Sequence, residues 1–155
     1  MTVVVYKDGV MAADTRIVHS DAGIMRSTKL LRKRIGRRDH LLGFAGDVSY
    51  ATLYCDWYGS KQPMPEQLRS IPEDRRFNVL ILIGKQLYEA DGICRPIEIE
   101  ARFHAIGSGA QAALGAMRHG ATALQATNIA CDIDHNCGRP VQTMILPTRL
   151  RGVSV

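Results

Sequence analysis

The residues that could do chemistry stand at the very start of the chain, in Met1 to Asp14, MTVVVYKDGVMAAD. If Met1 is removed, Thr2 carries a free α-amine and a β-hydroxyl on one carbon skeleton, so base and nucleophile belong to the same residue. An alcohol needs such an adjacent base, and the N-terminal amine of a threonine is one. An α-amine titrates at roughly 7.7–8.0, against about 10.4 for a lysine side chain, so near neutral pH part of it can accept a proton. That is sufficient for acyl transfer to a hydroxyl. Taken alone, Thr2 reads as the first residue of an edge strand, and the rest of the chain has to supply the case for catalysis.

Two other patterns imitate chemistry. Gly107-Ser-Gly-Ala-Gln-Ala follows a strand and opens a helix, as a dinucleotide fingerprint does. It comes too late in the chain, and a helix follows where a second parallel strand is required. The histidines at 19, 40, 104, 119 and 135 show no zinc-type spacing to cysteines or carboxylates. Cys55, Cys94, Cys131 and Cys137 lack a C-x-x-C spacing, and reduced thiols are the expectation.

The elements that would position Thr2 begin with a hairpin. Thr2 to Tyr6 is a β-favouring run, Lys7-Asp8-Gly9 a turn, and Val10 to Ala13 the return strand, closed by the abruptly polar Asp14. Its apolar residues point both ways, so both faces need cover. Ile17 to Leu31 reads as irregular strand and loop. His40 to Ala45 is a strand, and Ala51, Tyr54, Cys55 and Tyr58 form a helical stripe stopped by Gly59. Residues 60 to 76, with three prolines, read as a loop holding at most one short helix near Glu66 to Ser70.

Strands are expected at Phe77 to Ile83, Gln86 to Ala90 and Ile97 to Ile106, then an alanine-rich helix to about His119. A second helix presents Ala126, Ile129, Ala130 and Ile133 on one stripe. Val141 to Leu146 is a strand, and residues 148 to 155 a short terminal one. Hairpin groups on either side of helices argue for packed antiparallel sheets with helices outside, an α+β four-layer αββα sandwich in one domain spanning residues 1–155.

Bulk properties set the class. With 155 residues, 46% hydrophobic and 23% charged, the chain has the composition of an ordinary globular domain that needs no disulfide staples. Its longest apolar run, Val79 to Ile83, is too short to span a bilayer, and no basic and apolar leader opens the chain, so a cytoplasmic location is expected. The net charge of +5 raises nucleic acid as a partner. Much of the excess sits in Arg32 to Arg38, RKRIGRR, which reads as a solvated turn without aromatic or helical reading surfaces.

In order and spacing, Thr2-Val-Val, the AAD at 12 to 14, the Lys-apolar step at 29 and 30, LLGFAG at 41 to 46, IGSG at 106 to 109 and D-x-x-C-G at 134 to 138 resemble proteasome-type N-terminal nucleophile hydrolases. The resemblance covers nearly the whole chain and is shared with proteasome β subunits, the HslV peptidase and small bacterial proteasome homologues. It implies a threonine peptidase in which Thr2 attacks the peptide carbonyl, while Asp14 holds Lys29 beside the nucleophile. Lys33, four residues on along the same strand face, is the alternative lysine. Gly46 would direct its amide at the oxyanion, with Phe44 and Val48 flanking the pocket for the residue before the scissile bond. Ser108 and Asp134 would support the threonine amine.

Cys137 stands where the family usually has serine. A thiol is the poorer hydrogen-bonding group, so weaker orientation of the amine and lower activity are expected. The resemblance also implies stacked homo-oligomeric rings of six or seven subunits, peptide or unfolded-protein substrates, an unidentified unfoldase partner, and no metal or nucleotide cofactor. Two rivals belong to other classes: a catalytically silent ring or scaffold protein of the same fold, and a basic nucleic-acid-binding module.

Overall fold

The computed structural model describes residues 2–19, 23–91 and 95–147. The chain opens with the expected hairpin, β1 (Val3–Lys7) and β2 (Val10–Ala13), paired from Val4↔Ala13 to Lys7↔Val10. Then come β3 (Arg16–His19), β4 (Gly23–Arg26), β5 (Leu30–Ile35) and β6 (Arg38–Gly46). Helix α1 (Val48–Trp57) and the single turn α2 (Glu66–Arg69) precede β7 (Phe77–Ile83), β8 (Gln86–Asp91), β9 (Ile97–Glu98) and β10 (Phe103–Gly107). Helices α3 (Ala110–Arg118) and α4 (Ala123–Ile133) and strand β11 (Gln142–Ile145) complete it.

Two antiparallel sheets face one another, one ordered β10-β1-β2-β11 and the other β5-β6-β7-β8-β9. Strand alternation explains the layers. Val4, Tyr6, Met11 and Ala13 point inward to meet Leu30, Leu41, Ala45, Leu80 and Leu82 of the second sheet. Val3, Val5 and Ala12 point outward beneath α3 and α4, against Ala113, Met117, Ala126 and Ala130. On the far side Leu42, Phe44, Val79 and Ile81 pack under α1 with Tyr54 and Cys55, and Leu68 of α2 seals the edge. This is the αββα sandwich, and it explains why TVVVY is apolar on both faces.

Four local expectations need correction. Ile17 to Leu31 is not irregular: Ile17↔Met25 and Val18↔Ile24 pair in a separate two-stranded ribbon, and β5 starts at Leu30. Its apolar residues are largely exposed, so the strand carries no in–out alternation to read. Arg32 to Arg38 is mostly strand, turning only at Gly36 and Arg37; Arg34 pairs with Asp39 at 3.1 Å across the hairpin. Ile97 to Ile106 is two strands in different sheets, because Ile97 pairs with β8 whereas Phe103 onward pairs with β1. On α4 the buried face is Ala123, Ala126, Thr127 and Ala130, leaving Ile129 and Ile133 exposed. Small residues let the helix lie close on β1 and β2, and the larger isoleucines are turned out.

The terminal strand expected at 148 to 155, and Met1, lie outside the described residues. Among the described residues no helix is long and apolar enough to cross a membrane, and Cys55, Cys131 and Cys137 are free thiols.

Candidate active site

Asp14 leaves β2 opposite Val3, its amide donating to the Val3 carbonyl at 3.2 Å, so the hairpin register carries its side chain to the start of β1. The carboxylate has no exposure and is saturated with donors. Oδ1 accepts from Val3 N at 3.0 Å, Lys29 Nζ at 2.8 Å and the Thr2 hydroxyl; Oδ2 accepts from Arg16 N at 3.1 Å and Gly138 N at 3.0 Å. A buried carboxylate is tolerated when its lone pairs are filled in this way.

Lys29 enters from the other sheet. Just ahead of β5, its amide donates to Gln142 Oε1 at 3.1 Å and its carbonyl accepts from Phe44 N at 3.1 Å, which fixes the backbone between β11 and β6. The side chain is 2% exposed, and Nζ reaches Asp14, the Thr2 hydroxyl and the Arg16 carbonyl. Burial pulls this ammonium below the usual lysine range, while the Asp14 charge pulls the other way. Thr2, Asp14 and Lys29 are therefore one hydrogen-bonded cluster. Lys33 is elsewhere: it donates to the carbonyls of Cys55 at 2.8 Å and Asp56 at 2.6 Å, closing the C-terminus of α1.

Gly46 ends β6 with φ +101°, and a Cβ there would lie 2.5 Å from the Arg76 carbonyl oxygen. Asp47 follows as the N-cap of α1, accepting from Tyr50 N at 3.1 Å and pairing with Arg75 at 2.9 Å. Gly46, Phe44 and Val48 line a recess with Thr2, Lys29, Arg16 and Ile17. Its enclosed volume is about 10 Å³, room for about one water molecule, so a larger group would sit at its mouth.

Ser108, Asp134 and Cys137 form a second chain on the opposite flank. The Ser108 hydroxyl and the Gly109 amide both approach the Thr2 carbonyl at 3.4 Å. Asp134 accepts from Asn136 N at 2.9 Å and Asn136 Nδ2 at 3.0 Å. Burial pushes its carboxyl up, but hydrogen bonds from Ser108, Asn136 and Cys137 outweigh that and hold it below the usual aspartate range. The Cys137 thiol is pushed up to about 12 by burial and by the charges of Asp14 and Asp134, so it is neutral and donates to Asp134 at 3.4 Å. That donation is directed at Asp134 and not at Thr2.

Sequence reasoning missed Arg16 and Ile17, and it quoted Gly107 and Gly138 only within the IGSG and D-x-x-C-G motifs, without a role for either. Arg16 serves with its backbone, donating to Asp14 and accepting from Lys29, while Nη1 donates to the His135 carbonyl at 2.7 Å. Its place two residues after Asp14 was the only signal. Gly107 has φ +96°, and a Cβ there would fall 2.1 Å from the Thr2 carbonyl oxygen. The Gly107-Ser-Gly turn is thus packed on Thr2, and β10 before it runs antiparallel to β1, unlike a dinucleotide fold. His40 bonds Tyr58, His104 bonds Glu89 and His119 bonds the Gly115 carbonyl. Among the described residues no group of three His, Cys, Asp or Glu side chains could hold a metal ion.

No protein-family model matches the chain, and a search of curated proteins finds no match either. Solved structures do match. BPH of Thiobacillus denitrificans in complex with epoxomicin is 21% identical with a TM-score of 0.65, over 95% of this chain and 99% of that one. HslV from Trypanosoma brucei is 20% identical with a TM-score of 0.61, over 93% and 97%. Anbu, described as an ancestral β-subunit, from Yersinia bercovieri is 16% identical with a TM-score of 0.71, over 94% and 81%. Taken with the αββα layers and the path of the chain through them, these likenesses show that the protein has the fold of the proteasome-type N-terminal nucleophile hydrolases.

Proposed function

We propose that the chain is an N-terminal threonine peptidase that cleaves peptide bonds through an acyl-enzyme on Thr2. The observation that carries this reading is the convergence of the Thr2 hydroxyl, the Lys29 ammonium and the Asp14 carboxylate in one buried cluster at the recess that Gly46 lines. Once Met1 is removed, the free α-amine takes the hydroxyl proton as Oγ attacks the peptide carbonyl. Lys29 favours the developing alkoxide, and Asp14 holds Lys29 in place. The Gly46 amide stabilises the oxyanion. The amine then protonates the leaving nitrogen, the C–N bond breaks, and water hydrolyses the ester to regenerate Thr2.

Ser108 and Asp134 support the Thr2 backbone, and the Cys137 donation to Asp134 ties that support to the helix layer. Phe44 and Val48, with Ile17, favour an apolar or medium-sized side chain before the scissile bond. The chain works as a single domain in homo-oligomeric stacked rings in the cytoplasm on peptides or on proteins unfolded by an unidentified unfoldase, and needs no metal or nucleotide of its own. The likeness to BPH, seen with epoxomicin bound, makes a peptide epoxyketone the natural probe.

Intact mass before and after exposure to that probe tests the reading. A mass lacking Met1 and one adduct per chain, abolished in Thr2→Ala, is the expected outcome. A full-length mass without adduct would overturn it in favour of a silent ring scaffold.

A further inference from the structure

At the opposite end of β1 from Thr2 the surface opens into a cavity of about 870 Å³, a volume suited to a small organic ligand. Four parts of the fold make it: the β1–β2 turn with Lys7, Asp8 and Val10, the entry to β10 with Arg102 and Phe103, the α3–α4 corner with Met117, Arg118 and Leu124, and the outer face of β11 with Thr143 and Ile145. It exists because α4 covers β1 and β2 but stops short of β11, whose residues Thr143 and Ile145 stay exposed.

The lining divides by chemistry. Val10, Met117, Ala123, Leu124 and Ile145 make an apolar trough. The charged lining residues are Lys7, Arg102 and Arg118 against the single acid Asp8, so the rim is net cationic. Asp8 is taken by Arg102 at 3.0 Å. Lys7 is turned to the carbonyls of Ala121 at 2.6 Å and Met117 at 3.4 Å, with no carboxylate partner among the described residues. Arg118 is exposed and has no partner among them.

We propose that this cavity binds a small anionic amphiphile, an unbranched alkyl carboxylate, with the chain along the trough and the carboxylate on Arg118. Charge decides between this and the nearest alternative occupant. Residues 148 to 155, TRLRGVSV, follow β11 and contain two arginines and no acid, so they would bring like charge to a cationic rim. A carboxylate reaching Arg118 instead meets a planar donor fork, and the apolar trough rewards each methylene that leaves water.

Titration calorimetry of the full chain with sodium decanoate, decanol and decyltrimethylammonium tests this. Decanoate is expected to bind once per chain, with decanol about tenfold weaker and the cation undetectable. Arg118→Gln should weaken decanoate about tenfold and leave decanol unchanged, and Thr143→Trp, which fills the trough from an exposed strand position, should abolish both. Arg69→Gln, a cation elsewhere on the surface, should change nothing. Equal affinity for decanoate and decanol, binding untouched by Arg118→Gln and Thr143→Trp, or no binding at millimolar decanoate would each overturn the proposal. So would decanoate binding that appears only after residues 148 to 155 are deleted, since those residues would then be the occupant.

Discussion

At the scale of single residues, Asp14 and Lys29 set the terms. Each is a charge taken almost wholly out of water, and each is tolerated because the other, together with the backbone donors to Asp14, replaces the lost hydration. Asp14→Ala leaves an uncompensated buried ammonium and unmet amides at Val3, Arg16 and Gly138, and is expected to lower stability by about 3–5 kcal/mol in urea unfolding. Lys29 has a folded-state pKa below its unfolded value, so between the two the unfolded chain holds the extra proton and stability rises with pH across that window. Lys29→Met should remove that rise, seen as a flatter dependence of the urea midpoint on pH above neutrality. Cys137→Ser replaces a weak donor to Asp134 with a stronger one, and epoxyketone adduct formation should quicken several-fold in the variant.

At the scale of elements, the site is a junction between two sheets, and glycines hold the junction close. Gly46 lets β6 turn into α1 against the Arg76 carbonyl, and Gly107 lets β10 pass over the Thr2 carbonyl. Gly46→Ala combines a strained positive φ with overpacking on backbone and should cost about 2–4 kcal/mol, with adduct formation lost in parallel. A second tie joins the sheets. Glu89 of β8 accepts from Asn78 of β7 at 2.9 Å and pairs with His104 of β10 at 2.8 Å. The His104 hydrogen bond holds the Glu89 carboxyl below the ordinary glutamate value of 4.5. Its stabilisation is thus present above that pH and fades as pH falls through the lower folded value. Glu89→Gln should cost about 1 kcal/mol at neutral pH and flatten the acid limb of the stability profile.

At the scale of the molecule, exposed Ile129 and Ile133 on α4, and Val18, Ile24 and Met25 on the β3–β4 ribbon, are more apolar surface than a scatter of single residues. A two-stranded ribbon is marginal by itself in water, so under the proposed ring assembly this one is a surface for a neighbouring subunit to cover. Sedimentation of the purified protein should give an assembly on the order of 200 kDa from 17.1 kDa protomers, as two stacked rings require. A monomer would argue against the ring. The basic hairpin predicts little as a nucleic-acid surface, because Lys33 is spent on α1 and Arg34 on Asp39; salt-sensitive binding lost on neutralising Arg32 to Arg38 would restore that rival.

Residue types in order along the chain were enough to identify the hairpin, the helices and the layered architecture, while Thr2 was a candidate by its own chemistry and Asp14, Lys29 and Gly46 by the resemblance to the proteasome-type hydrolases. These depend on local periodicity and on motifs, which survive in one dimension. What the sequence left open was which lysine meets Thr2, where the Cys137 thiol points, that Ile97 to Ile106 changes sheets, and that Arg16, Gly107 and Gly138 complete the site. Each is a matter of backbone groups or of partners far away in sequence, as between Asp14 and Gly138 or Lys29 and Gln142. An amide or a carbonyl is the same on every residue, so only the packed sheets could decide which ones face the buried charges.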